Sequence, residues 1–82
     1  MSIREMLEEI DDFLFADGLD DALMGFVSIA GKDVALYDRE KAIQIILQGD
    51  MDYEEAEEFF DYNVQGAYVG EKTPAFATLL KE

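Results

Sequence analysis

The stretch ADGLDDALMGFVSIAGKDVALYD, residues 16–38, decides the fold because it admits two readings. In the first, Phe26, Ser28 and Ala30 alternate with Val27 and Ile29, Gly31-Lys32-Asp33 turns the chain, and Val34-Ala35-Leu36-Tyr37 returns as a β-favouring run. That pattern predicts a hairpin over roughly 25–37. In the second, Asp20 caps a helix that stops at Gly31, with Leu23, Val27 and Ala30 at helical spacing. The hairpin is the preferred reading and makes the chain a small α+β domain, mainly helical, with three to four helices. The helical reading makes it all-α.

The flanking segments read as helices. SIREMLEEIDDFLF pairs Ser2 with Glu5 as a capping box and sets Ile3, Met6, Leu7, Ile10, Phe13 and Leu14 on one face, with Asp17-Gly18 as its stop. Asp38 N-caps a second helix with Ala42, Ile43, Ile46 and Leu47 inward, closed by Gly49. Asp52 and Glu55 form a further capping box, ahead of a face built from Ala56, Phe59, Phe60, Asn63 and Val64. An amide at Asn63, in line with core positions, must find hydrogen-bond partners, because leaving it unsatisfied costs about 1–3 kcal/mol.

The uncharged run NVQGAYVG, residues 63–70, reads chiefly as a corner. Gly66 is placed as the left-handed residue ending the third helix, Ala67-Tyr68-Val69 as a brief extended segment and Gly70 as a second turn. Thr73-Pro74 then resembles an N-cap and first helical position for a short C-terminal helix with Phe76, Leu79 and Leu80 inward. Asn63 is positioned to satisfy backbone groups of that corner.

Composition removes whole classes of chemistry. The 82 residues contain no cysteine and no histidine, so disulfides, thiolate chemistry and the commonest general base and transition-metal ligand are absent. No apolar run approaches the roughly 20 residues a membrane crossing needs, and no signal-like leader is visible, so a cytoplasmic setting is expected. Half the residues are apolar, enough for one packed domain spanning 1–82.

Twenty acidic residues face six basic ones, a net charge of -14. The whole imbalance lies in residues 1–24 and 50–62; elsewhere the signs cancel. Such a field repels phosphate backbones and anionic lipid and favours basic protein partners, so neither direct nucleic-acid binding nor membrane attachment is expected.

The residues ALYDREKAIQIIL and DYEEAEEFFDYNVQGAYVGEKTPAF make the chain resemble a group of short, uncharacterised proteins of bacteriophage and prokaryotic genomes. The likeness covers about residues 34–76. It is carried most by Asn63, Gly66, Ala67, Gly70, Thr73 and Pro74 behind an acidic helix with Glu55, Ala56 and Phe60. The resemblance implies a phage or prophage setting and no particular activity.

No sequence motif specifies a cofactor, metal or catalytic group. DMDYEE departs from a calcium loop at its sixth position, where Glu55 replaces glycine. Looser cation binding would draw on Asp11, Asp12, Asp17, Asp20 and Asp21. Paired carboxylates fall on predicted solvent faces where nothing raises a pKa for acid catalysis. Gly66-x-x-x-Gly70 lacks the spacing and the Lys-Ser/Thr pair of a phosphate loop.

The expected function is a non-enzymatic protein-interaction module. Its near-neutral surface is assigned to Tyr37, Asn63, Gly66, Tyr68, Gly70 and Thr73, and its acidic surface to Glu54, Glu57, Glu58 and Asp61. One alternative makes that acidic ladder a nucleic-acid mimic that occupies a basic groove on a DNA- or RNA-handling protein. Another makes the chain a self-associating assembly protein, pairing as a homodimer through Tyr62, Tyr68 and Phe76.

Overall fold

The computed structural model describes residues 1–47 and 51–81. Helices α1 (Ile3–Ile10), α2 (Arg39–Ile46) and α3 (Tyr53–Phe60) accompany strands β1 (Leu23–Ile29), β2 (Lys32–Asp38) and β3 (Ala75–Ala77). The chain is a small α+β domain, and the hairpin reading of residues 16–38 is the one adopted. The turn sits one residue earlier than expected: Ile29 pairs with Lys32, leaving Ala30-Gly31 as a two-residue loop. Both have positive φ, 51° and 82°, the mirror-image turn whose twist matches paired strands. Asp20 does start a turn, but only the 3₁₀ turn Asp20–Ala22, which delivers Leu23 into β1.

Strand order is β1-β2-β3, with β1 antiparallel and β3 parallel to β2. Cross-strand partners share a face, so Leu23, Phe26, Ala35, Tyr37 and Phe76 lie on one side. That side carries the core, where Tyr37, Ile43, Ala56 and Phe60 are fully buried. Phe76 stacks on Tyr37 at 5.2 Å and receives Phe60 edge-on at 4.9 Å. Val27, Val34, Leu36 and Ala75 occupy the opposite side. Val34 is buried yet lies outside the core cluster.

The C-terminal helix is replaced by β3. Thr73 is not a helix cap: its hydroxyl donates to the Gly70 carbonyl at 2.6 Å and accepts the Val69 N–H at 2.9 Å, closing a loop. A helix of this length is marginal alone, whereas an extended Ala75–Ala77 gains β2 as partner and lays Phe76 on Tyr37. Leu79 and Leu80, expected inward, are exposed, Leu80 at 92%.

Helix α1 forms with its full Ser2–Glu5 capping box but ends at Ile10, not at Asp17-Gly18. Asp11 is extended, and its carboxylate takes the Asp12 N–H at 2.7 Å and the Lys72 ammonium at 3.0 Å. This exit lets Phe13 enter the core beneath Lys72 and against Phe26. Of the predicted apolar face only Leu7 and Phe13 are buried; Ile3, Met6, Ile10 and Leu14 are exposed.

Asp38 and Asp52 cap α2 and α3 as expected, though in the Asp52 box only the forward bond, from the Glu55 N–H, is made. The predicted stop at Gly49 lies outside the described residues. Helix α3 runs into a π-helical turn, Asp61–Gln65, before Gly66. Among the described residues no helix is long and apolar enough to cross a membrane.

Candidate functional site

The predicted near-neutral surface does not exist as one patch. Tyr37 is core: its side chain is fully buried and its hydroxyl accepts the Ala16 N–H at 2.8 Å. Burial pushes its phenol pKa up. The β-favouring character of residues 34–37 was legible; that Tyr37 faced inward depended on hairpin register, which a one-residue change inverts.

Gly66 is right-handed, with φ -76° and ψ -11°, not left-handed. Its N–H donates to the Asp61 carbonyl at 3.1 Å, and a Cβ there would lie 3.0 Å from that oxygen and 3.3 Å from the Tyr62 carbonyl oxygen. Glycine eases the close backbone approach in the wide turn, and handedness does not call for it. Asn63 is exposed rather than in the core line, although Val64 beside it in the π turn still packs against the core. Its amide donates to the Phe59 carbonyl at 3.2 Å, within its own helix and not to the corner at 66–70. Ala67–Val69 is irregular and pairs with no strand, while Gly70 turns the chain with φ 108°.

Asn63 and Thr73 nonetheless meet in one place. A groove of about 530 Å³ opens between the loop after α1, the π turn and the segment leading into β3. Its walls are mainly apolar, with Leu14, Phe15, Ile46, Phe59, Val69 and Phe76 among them. Asp17, Asn63 and Thr73 supply the polar groups. On the far side of Phe59 and Asn63 lies a second, shallower depression bordered by Glu55, Glu58, Asp61 and Tyr62. Phe59 and Asn63 thus form the ridge between an apolar groove and an acidic hollow. Tyr68 and Gly70 fall elsewhere, in a dip with Ile29 and Val34 that reaches the groove only through Thr73.

The acidic ladder is only half free. Arg39, at the start of α2, donates from Nη2 to Asp61 at 2.7 Å, stands 3.5 Å from Glu57 and donates from Nε to Gln65 at 3.2 Å. Its guanidinium also lies over the Phe60 ring, 5.3 Å from the centroid. The Asp61 hydrogen bond, opposed in part by desolvation, raises the Arg39 pKa. Glu54 and Glu58 make no ion pair among the described residues. Arg39 escaped sequence reasoning because its partners lie 18 to 26 positions away, at Glu57, Asp61 and Gln65. Its sign, against a segment of seven acids and no base, was the available signal.

Three carboxylates lie low in pKa for local reasons. Glu40 is held down by the Tyr53 hydroxyl, 2.6 Å away, and by Gln44; Asp11 by the Asp12 N–H and then Lys72; Glu5 by Ser2. Asp20, proposed for loose cation binding, pairs with Arg4 at 3.1 Å. Among the described residues no group of three or more acids is arranged to hold a metal ion. Asp50, which begins the calcium-like run, is outside them.

Comparison with protein-family models, with curated proteins and with solved structures returns no match.

Proposed function

We propose that this chain is a non-enzymatic protein-interaction module whose contact surface is the groove between Leu14, Phe59 and Val69. The phage or prophage setting, and with it a host cytoplasm, is part of this proposal and draws on the resemblance over residues 34–76. The observation that carries the reading is the company of exposed large apolar side chains around one concave, mainly apolar site: Leu14 at 43%, Phe59 at 44% and Val69 at 60%. An 82-residue domain has little apolar material to spare from its core, and leaving these side chains in water fits a surface that a partner covers. A catalytic carboxyl acid needs its pKa raised, while Glu5, Asp11 and Glu40 all move down.

Peptide display panned on the purified protein tests the reading. Selected peptides are expected to bind the wild type and to lose at least about tenfold in affinity on Phe59→Lys or Val69→Lys, exposed positions where folding tolerates change. Selection of no peptide that distinguishes these variants from the wild type would remove the groove as an interaction site.

A second reading, self-pairing, draws on the outer sheet face. Val27, Leu36 and Ala75 are only half-buried there, and Ile29 is exposed. Sedimentation that stays monomeric across concentration would exclude it. The nucleic-acid mimic is the weaker alternative, since Arg39 neutralises Glu57 and Asp61 within its ladder.

A further inference from the structure

The groove and the acidic hollow share a ridge, and their chemistry together specifies an occupant. We infer that they form one composite site for a positively charged amphipathic helix of a partner protein, with its apolar stripe in the groove and its flanking lysines or arginines on Glu55 and Glu58. This inference rests on the interaction reading above and adds the class of partner.

Charge complementarity is the first argument. No Lys or Arg lines either depression, and Glu55 and Glu58 make no ion pair among the described residues. Both stand on α3, one turn apart, immediately beside Phe59. An acidic segment is repelled by a chain of net charge -14 and a neutral one gains no attraction; a basic one is steered toward it.

Backbone satisfaction is the second. The groove offers few partners to an extended peptide: the Thr73 hydroxyl is engaged as donor to Gly70 and as acceptor from Val69, Asn63 has one amide hydrogen committed to Phe59, and the Asp17 carboxylate only accepts. A strand laid there would desolvate N–H and C=O groups without replacing their water. A helix brings its own hydrogen bonds and presents only side chains, the helix-in-groove mode of recognition.

Three synthetic peptides of about eighteen residues, roughly five helical turns, separate the outcomes: an amphipathic Leu/Lys helix, its Leu/Glu counterpart and a Lys/Ser peptide of equal charge. The Leu/Lys helix is expected to shift the amide resonances of Phe59, Asn63, Val69 and Thr73. Its binding is expected to weaken about tenfold in Glu55→Lys/Glu58→Lys and again at high salt. Equal binding by the Lys/Ser peptide reduces the site to diffuse electrostatics and overturns the inference; equal binding by the Leu/Glu helix overturns the charge argument; no binding by the Leu/Lys helix overturns both parts. If display instead yields neutral or acidic peptides that discriminate Phe59→Lys, the interaction reading stands and this partner class falls.

Discussion

Helices α1 and α3 begin alike and end differently. Each has eight residues, an oxygen-bearing N-cap and acids in its first turn, and each belongs to a segment with a surplus of seven negative charges. Yet α3 buries Ala56 and Phe60 completely and has Arg39 drawn against its acids, while α1 buries only Leu7 and leaves Ile3, Met6 and Ile10 exposed. Local signals set where both helices start. What each helix touches was decided elsewhere in the chain, by β2, α2 and the aromatic stack that Phe60 joins.

The contrast can be broken most directly by truncation. Phe60→Ala is expected to destabilise by about 3–5 kcal/mol, enough to unfold much of a domain this small, whereas Met6→Ala costs about 1 kcal/mol or less. Urea denaturation of both variants decides it; equal losses would mean that the α1 face is as well packed as that of α3.

Tyr37→Phe probes how the loop after α1 is tied to the sheet. Removing the hydroxyl leaves the Ala16 N–H without its acceptor and is expected to cost about 1–3 kcal/mol. A pH signature accompanies it. Because the folded-state pKa of Tyr37 is raised above its unfolded value near 10, the neutral phenol stabilises the fold fully below that pH. The contribution is lost as pH rises through the folded value. The wild type should therefore lose stability in alkali more steeply than Tyr37→Phe, measured as the denaturation midpoint against pH.

Arg39→Met separates the charges of the two helices. With the guanidinium partly covered but its carboxylate partners largely in water, the expected loss is about 1 kcal/mol, shrinking as salt is added. Arg4→Met, which breaks the exposed pair with Asp20 near α1, should cost less. Similar losses from both would deny Arg39 its role as the clamp between α2 and α3.

The smallest effect lies in neither helix and has the opposite sign. Ala30 holds a left-handed conformation that a methyl side chain disfavours, so Ala30→Gly or Ala30→Asn is expected to stabilise by about 0.5–1 kcal/mol. An unchanged melting temperature would show that the turn is unstrained.

Legibility followed the range of the forces. Ser2, Asp38 and Asp52 could be read as caps because each bonds a group three residues on. The hairpin could be read from alternation and its glycine, to within one residue at the turn. The C-terminal segment could not: Thr73-Pro74 carries a genuine helix-start signal, overridden by pairing with a strand some 40 positions earlier. Of the groove's lining, the sequence singled out Asn63 and Thr73, while Phe59, Leu14 and Val69 looked like core or loop residues and only the folded chain brings them around one groove.

The amino-acid order by itself determined the starts of α1, α2 and α3, the hairpin, the charge and the absence of thiol and imidazole chemistry, since these depend on neighbours a few residues apart or on composition alone. Only the tertiary structure decided that Tyr37 is interior, that Arg39 halves the acidic ladder and that residues 75–77 extend as a strand. Each of those outcomes is a contact between distant segments, and the free energy of such a contact exists only once the chain has closed the loop that brings its two sides together.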